Sequence, residues 1–276
     1  MGEVGELTIT NAFASDTLEL PITSGVYTTY SPGDGKCYVV LCSQLTNLTD
    51  TGADVDVLLK AEIAEKGSDS YTPASYYTVT VIGDGSTPIF GSGVESVVIP
   101  ASVTEITENA FNGCTGLKSV TFAEDGQLTT IGDSTFYAAN QLETLTIPEG
   151  VNSIGNHAFT ATNKLQTITL PSTLTTVCGG AWFGNLFAFD SQNSAPANLM
   201  AVNIASGNEQ YCSYDGVVYA ADGKTLLYCP AAKQTIDWLA EVEEIAPYAF
   251  AKTTMEHIQL PDGLKAIQAN GFRGAQ

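Results

Sequence analysis

A unit of about 23 residues repeats along this chain, and that period limits its fold more than any other feature. The clearest copy runs from Leu142 through Leu145, Ile147, Pro148, Val151, Ile154 and Ala158 to Phe159. The closing aromatic recurs as Phe111, Phe136, Phe159, Trp182, Phe250 and Phe272, in steps of 25, 23 and 23 as far as Trp182 and of 22 at the end. The apolar residue before the proline keeps the same beat: Ile99, Phe122, Ile147, Leu170, Trp238 and Leu260. The beat breaks between Leu170 and Trp238. If Ile204 is the missing strand residue, each neighbouring step is 34, so both repeats carry insertions. Periods of roughly 20–50 residues mark stacked-repeat architectures.

The unit explains itself residue by residue. Leu145 and Ile147 share one face of a short strand, and Thr144 and Thr146 share the other. Pro148 has no N–H to extend a ladder and stops the strand, as Pro100, Pro171 and Pro261 do in their copies. Val151, Ile154 and Phe159 are expected as buried anchors in a turn or short helix that returns the chain. One coil cannot bury its apolar side alone, so neighbours must stack into a parallel solenoid. The repeat aromatics are expected to form one buried row, with strands ~4.8 Å apart.

The pattern L-x-x-[LIV]-x-I-P-x-x-V-x-x-I-x-x-x-A-F resembles the BspA-like leucine-rich repeats of bacterial surface proteins. Residues 208–230, with Asp215-Gly216 and Asp222-Gly223 as turn signals, are similar to the hairpin that interrupts repeats in that family. The stretch GDGKCYVVLCSQLTNLTD resembles immunoglobulin-like domains of exported bacterial lipoproteins. The resemblance implies a mainly β chain: an Ig-like β-sandwich over 1–76, then a right-handed leucine-rich-repeat solenoid over 77–276 with insertions near 184–198 and 208–230. A worn first repeat, with Ile82 and Phe90 in place of Ile154 and Phe159, reads as the N-terminal cap. The family also implies an extracellular or cell-surface location, reached through an export signal since removed.

Composition excludes several functions. The 276 residues hold 30 acidic and 10 basic side chains, a net charge of −20, and Arg273 is the only arginine. Such a field disfavours nucleic acid and anionic membranes. No apolar run is long enough to cross a membrane as a helix. The six cysteines do not read as a disulfide framework, and only Cys212 and Cys229, flanking the hairpin, suggest a pair.

Catalytic constellations are not apparent. His157 and His257 lack metal-ligand spacing, the Asp-Gly pairs lack calcium-loop spacing, and no nucleophile elbow or phosphate loop occurs. The expectation is a protein that is not an enzyme and holds no metal or cofactor. What remains is surface. A binding face is expected on the outward strand positions Thr144, Thr146, Thr167 and Thr169, running on to Asp237, His257 and Gln259. Tyr214 and Tyr219 of the hairpin and Phe187 and Phe189 of the other insertion are expected beside it, although that aromatic insertion reads somewhat better as cover for the core. The function expected is a binding or adhesion module for a host or bacterial surface protein or glycan. The alternative is a spacer or self-assembling subunit, with end-to-end association through 255–276.

Overall fold

Each coil crosses two short parallel strands and then a tight turn, and the repeat sequence accounts for all three sides. The computed structural model describes residues 81–275 apart from 84, 87, 89, 91, 93, 100, 181 and 188–194. It also describes strand segments at 6–10, 17–20, 38–39, 55–56, 60–64 and 76–78. The chain is mainly β, a solenoid of about eight turns with almost no helix.

The early strands are β1 (Glu6–Thr10), β2 (Thr17–Leu20), β3 (Tyr38–Val39), β4 (Val55–Asp56), β5 (Lys60–Ala64) and β6 (Tyr76–Thr78). The solenoid continues with β7 (Val81–Ile82), β8 (Ser96–Ile99), β9 (Glu105–Ile106), β10 (Ser119–Phe122), β11 (Thr130–Ile131) and β12 (Thr144–Thr146). Then come β13 (Ser153–Ile154), β14 (Thr167–Leu170), β15 (Thr176–Val177) and β16 (Ala201–Ile204).

The even-numbered strands from β8 to β16 form the first side, in which Leu145 pairs with Ile168 and Ile168 with Val202. Leu170 pairs with Ile204, so Ile204 is the strand residue of its coil, as its spacing indicates. The odd-numbered strands from β7 to β15 form a second ladder, pairing Ile82, Ile106, Ile131, Ile154 and Val177 in register. Ile154 therefore sits in a strand, and a tight turn rather than a helix returns the chain. Glycine follows this ladder where coils press closest: a Cβ on Gly155 would lie 2.4 Å from the Asp133 nitrogen.

The third side is the turn around the aromatic. Asn109, Phe111 and Gly113 donate N–H groups to the Asp133, Thr135 and Tyr137 carbonyls of the next coil at 2.8–2.9 Å. The residues two before and two after the aromatic take positive φ: Asn109 and Gly113, Ser134 and Ala138, His157 and Ala161, Tyr248 and Lys252, Asn270 and Gly274. Left-handed backbone at both shoulders aims each ring inward. Phe90, Phe111, Phe136 and Phe159 stack with centroids 4.7, 5.3 and 5.7 Å apart and planes within 6°.

Trp182 does not continue that row, and half of it is exposed. The Phe159 N–H meets the carbonyl of Leu186, so Phe187 is the next repeat aromatic, 6.1 Å from Phe159. The chain leaves the regular path at Cys178, which replaces the close-packed glycine, and makes two short 3-10 turns, Cys178–Gly180 and Phe183–Leu186. Tyr228 stacks on Phe187 at 4.6 Å and ends the first core, and Cys229 belongs to a second core around Phe250.

A hairpin of β17 (Tyr211–Tyr214), β18 (Val217–Ala220) and β19 (Thr225–Tyr228) follows, with both Asp-Gly turns where the sequence puts them. β19 then pairs in parallel with β20 (Glu244–Ile245), and β20 with β21 (Ala266–Ile267). Residues 235–238 and 257–260, expected as first-side strands, form none. The Trp238 indole N–H instead takes the Gln259 carbonyl at 2.8 Å.

Before residue 79, β1, β2, β5 and β6 form an antiparallel sheet, and most of the expected Ig-like domain lies outside the described residues. β3 pairs in parallel with β7, and β4 with β8. The coil of Ile82 and Phe90 is thus an inner rung of the ladders, not their cap.

Candidate binding surface

The first side alternates as its sequence dictates. Leu145 is buried between exposed Thr144 and Thr146, and Ile168 between half-buried Thr167 and Thr169. Ser119 and Thr121 are exposed in the neighbouring strand. These hydroxyls form one uncharged face.

The face is not continuous in its hydrogen bonding. β8 pairs with β10 and β12 with β14, yet β10 and β12 belong to separate sheets. Among the described residues no strand pairing joins β10 to β12. The second ladder and the turn remain bonded between the same two coils, Ile131 pairing with Ile154 and Phe136 N–H donating to the Ala158 carbonyl. The seam coincides with extra chain: Leu128 follows Phe122 by six positions, whereas Val151 follows Ile147 and Leu174 follows Leu170 by four. Val120 and Phe122 are only half-buried, although Val97, Ile99, Ile147 and Leu170 at equivalent places are buried. The sequence signal was the 25-residue step from Phe111 to Phe136.

At its other end the face stops against the hairpin. Val202 N–H donates to the Gly216 carbonyl and Ile204 N–H to Ser213 Oγ, both at 2.9 Å. Tyr214 stands exposed on the turn next to β16, and Lys233 pins that turn through the Asp215 carboxylate at 2.7 Å. Asp237, His257 and Gln259 are exposed, but they lie past the hairpin on segments outside any strand. The structure therefore does not join them to the threonines in one sheet. Tyr219 and Phe187 are fully buried and offer no ring to a ligand. Phe189 lies outside the described residues. Trp182 and Met200, exposed and not anticipated, are further apolar surface.

The remaining polar groups mostly brace one coil against the next. Asn163 donates to Asn140, Lys164 to Gln141, and Ser172 to Glu149 through both backbone and hydroxyl, each across 23 residues. The Ser172 N–H holds the Glu149 carboxyl below its ordinary range. Cys114, Cys178, Cys212 and Cys229 are free thiols. Cys212 lies in β17 and Cys229 just past the end of β19, with β18 between those strands, and the two are not bridged. Burial pushes the Cys114, Cys178 and Cys229 thiols up to about 12. Among the described residues no cluster of His, Cys, Asp or Glu could hold a metal ion, and no helix could cross a membrane.

Stacked coils with a hydroxyl face define a solenoid repeat protein. The family model of the BspA type leucine rich repeat region matches six copies over residues 90–191 and 225–276, more than half the chain, and the chain belongs to that family. Among solved structures it is similar to a leucine-rich repeat protein from Eubacterium ventriosum, at 22% identity and TM-score 0.60, covering 88% of this chain and 60% of that one. It is also similar to the pneumococcal vaccine antigen PcpA, at 22% identity and TM-score 0.57, covering 89% and 65%. At that identity the likeness is one of fold. The chain spans less than two thirds of the length of either protein. No curated protein matches the sequence.

Proposed function

We propose that this protein is a non-catalytic, surface-exposed binding module that engages a protein or glycan through its first side. The observation that carries this reading is the uncharged hydroxyl face of Ser119, Thr121, Thr144, Thr146, Thr167 and Thr169 on a molecule of net charge −20. Backbone packing fixes the direction of those hydroxyls, so little side-chain entropy is lost on contact. The surrounding acidic field repels polyanions, and basic partners are steered by it in a salt-dependent way. Family membership agrees with an adhesive or protein-binding role at the cell surface.

The test is the double substitution Thr146→Arg with Thr169→Arg, assayed against immobilised extracellular-matrix proteins and a glycan array. Loss of a wild-type interaction supports the reading. Unchanged binding moves the site to the hairpin or to the early strands. A protein that binds nothing but assembles reversibly in light scattering favours the spacer.

A further inference from the structure

We propose that Phe122 and Trp238 are wedges, each opening the first side between its own coil and the next, and that the two open junctions are hinges built into the solenoid. Both occupy the last inward position of the first side, held elsewhere by Ile99, Ile147 and Leu170. Setting aside Ile204, which the hairpin follows, five junctions can be compared. Ile99 pairs with Phe122, Ile147 N–H donates to the Thr169 carbonyl at 2.9 Å, and Leu170 pairs with Ile204, so these three junctions are closed. After Phe122 and after Trp238, among the described residues, no first-side strand pairing reaches the next coil. An aliphatic residue here goes with a closed junction and an aromatic one with an open junction, in every case.

Size supplies the reason. Backbone pairing holds neighbouring strands about 4.8 Å apart, and a close-packed core has no room for extra atoms. Phe111, Phe136 and Phe159 meet a similar spacing because ring lies on ring. Phe122 and Trp238 instead have Ile147 and Leu260 at the equivalent place in the next coil. An oversized side chain is relieved by a backbone shift. Accordingly both rings are only partly buried, whereas Ile99, Ile147 and Leu170 are buried. At Trp238 the exchange is visible: its indole N–H takes the Gln259 carbonyl at 2.8 Å. That carbonyl is the counterpart of Thr169, whose partner in the closed junction is the backbone N–H of Ile147.

Two other features do not account for both openings. The extra chain after Phe122 has no counterpart at Trp238, where Val242 follows by four positions. Both coils also lack the proline, but the N–H present at Ala123 donates to Ile99 of the preceding coil at 3.0 Å, on the closed side. The open junctions stay joined on their other two sides. Ile131 pairs with Ile154 and Phe136 N–H meets the Ala158 carbonyl; Ile245 pairs with Ile267 and Phe250 N–H meets the Gly271 carbonyl. Rotation about those joined sides widens or narrows the first side alone, so each junction bends in one direction.

The experiment is amide hydrogen exchange of the whole chain, resolved residue by residue by NMR and expressed as protection factors. The amides of Phe122 and Trp238 are expected to be protected at least about tenfold less than that of Ile147. Phe122→Leu and Trp238→Leu are each expected to close their junction and raise protection of the substituted residue at least about tenfold. Trp238→Phe, which keeps a ring and removes the indole N–H, is expected to leave its junction open. Ile147→Phe is expected to open a closed one; should it fail to fold, the leucine variants decide alone. Equal protection of the three amides in the unsubstituted chain overturns the proposal, as does a leucine variant that folds without gaining protection. Closure in Trp238→Phe equal to that in Trp238→Leu also overturns it, because the indole hydrogen bond and not the ring would then hold the junction open.

Discussion

The coils of Phe111, Phe136 and Phe159 and the coils of Phe250 and Phe272 share one sequence pattern but hold together differently. In the first group the anchors Val151, Ile154, Phe159 and Leu165 are wholly buried. In the second, Trp238, Met255, Ile258, Leu264 and Phe272 are only partly buried, and Leu260 and Ile267 are exposed. First-side strands are absent there, yet β20–β21 pairing and the turn bonds from Phe250 to Gly271 and Lys252 to Arg273 persist. The difference teaches which sides a coil needs. The second ladder and the aromatic turn hold it without the first side, and the seam between β10 and β12 shows the same within the regular stack. The first side is the freest to vary, and it is where a ligand surface can evolve at the least cost in stability.

The largest expected effect separates the two groups directly. Phe159→Ala is expected to destabilise by about 3–5 kcal/mol and Phe272→Ala by about half as much in urea denaturation, because the first side chain is wholly buried and the second only partly. Equal losses would erase the distinction. Next, Gly155→Ala should cost about 1–3 kcal/mol, since its methyl meets the backbone of the preceding coil. Gly271→Ala, whose nearest neighbour is the movable Ile267 Cγ2 at 3.0 Å, should cost less. A smaller effect concerns pH. The folded state keeps Cys114, Cys178 and Cys229 protonated up to about 12, whereas unfolded thiols ionise near 9. Unfolding then releases protons, so stability is full below pH 9 and falls towards pH 12, by roughly 1.4 kcal/mol per pH unit per thiol. Denaturation midpoints measured between pH 7 and 11, against a Cys114→Ala variant, check the slope. Smallest is Thr144→Ala, expected below about 0.5 kcal/mol, because its exposed side chain braces nothing.

Much of this was legible in the sequence because the period is strict where packing is strict. The ring row from Phe111 to Phe159, the inward Leu145 and Ile147, and both hairpin turns could be read directly, but the single buried row expected to run on to Phe250 and Phe272 is broken into a second core in which Phe272 is only partly buried. Trp182 misled because it fits the 23-residue step. An indole is too large for a slot stacked at about 5–6 Å, and the Cys178-Gly179-Gly180 run that diverts the chain was the sign that Phe187 takes the place. The second ladder was hidden in two-residue strands such as Ser153-Ile154, too short to show alternation. The floor expected to reach Asp237, His257 and Gln259 failed for a related reason: periodicity aligns residues along the chain, but the hairpin parts them in space.

The inter-coil bonds also have a mechanical consequence. Most of them link residues 22 to 25 apart, so a pulled chain would be loaded one rung at a time, like a zipper and not like a clamp. Each coil peeled away should lengthen the tether by about 80 Å, the contour of ~23 extended residues. Optical-tweezer traces should therefore show a staircase of such steps, and a single rupture of the whole array would contradict it. Between β10 and β12 the zipper lacks one of its rows of teeth, so the staircase should contain its weakest step there. A surface protein built this way would yield under shear by shedding single coils and rewinding them.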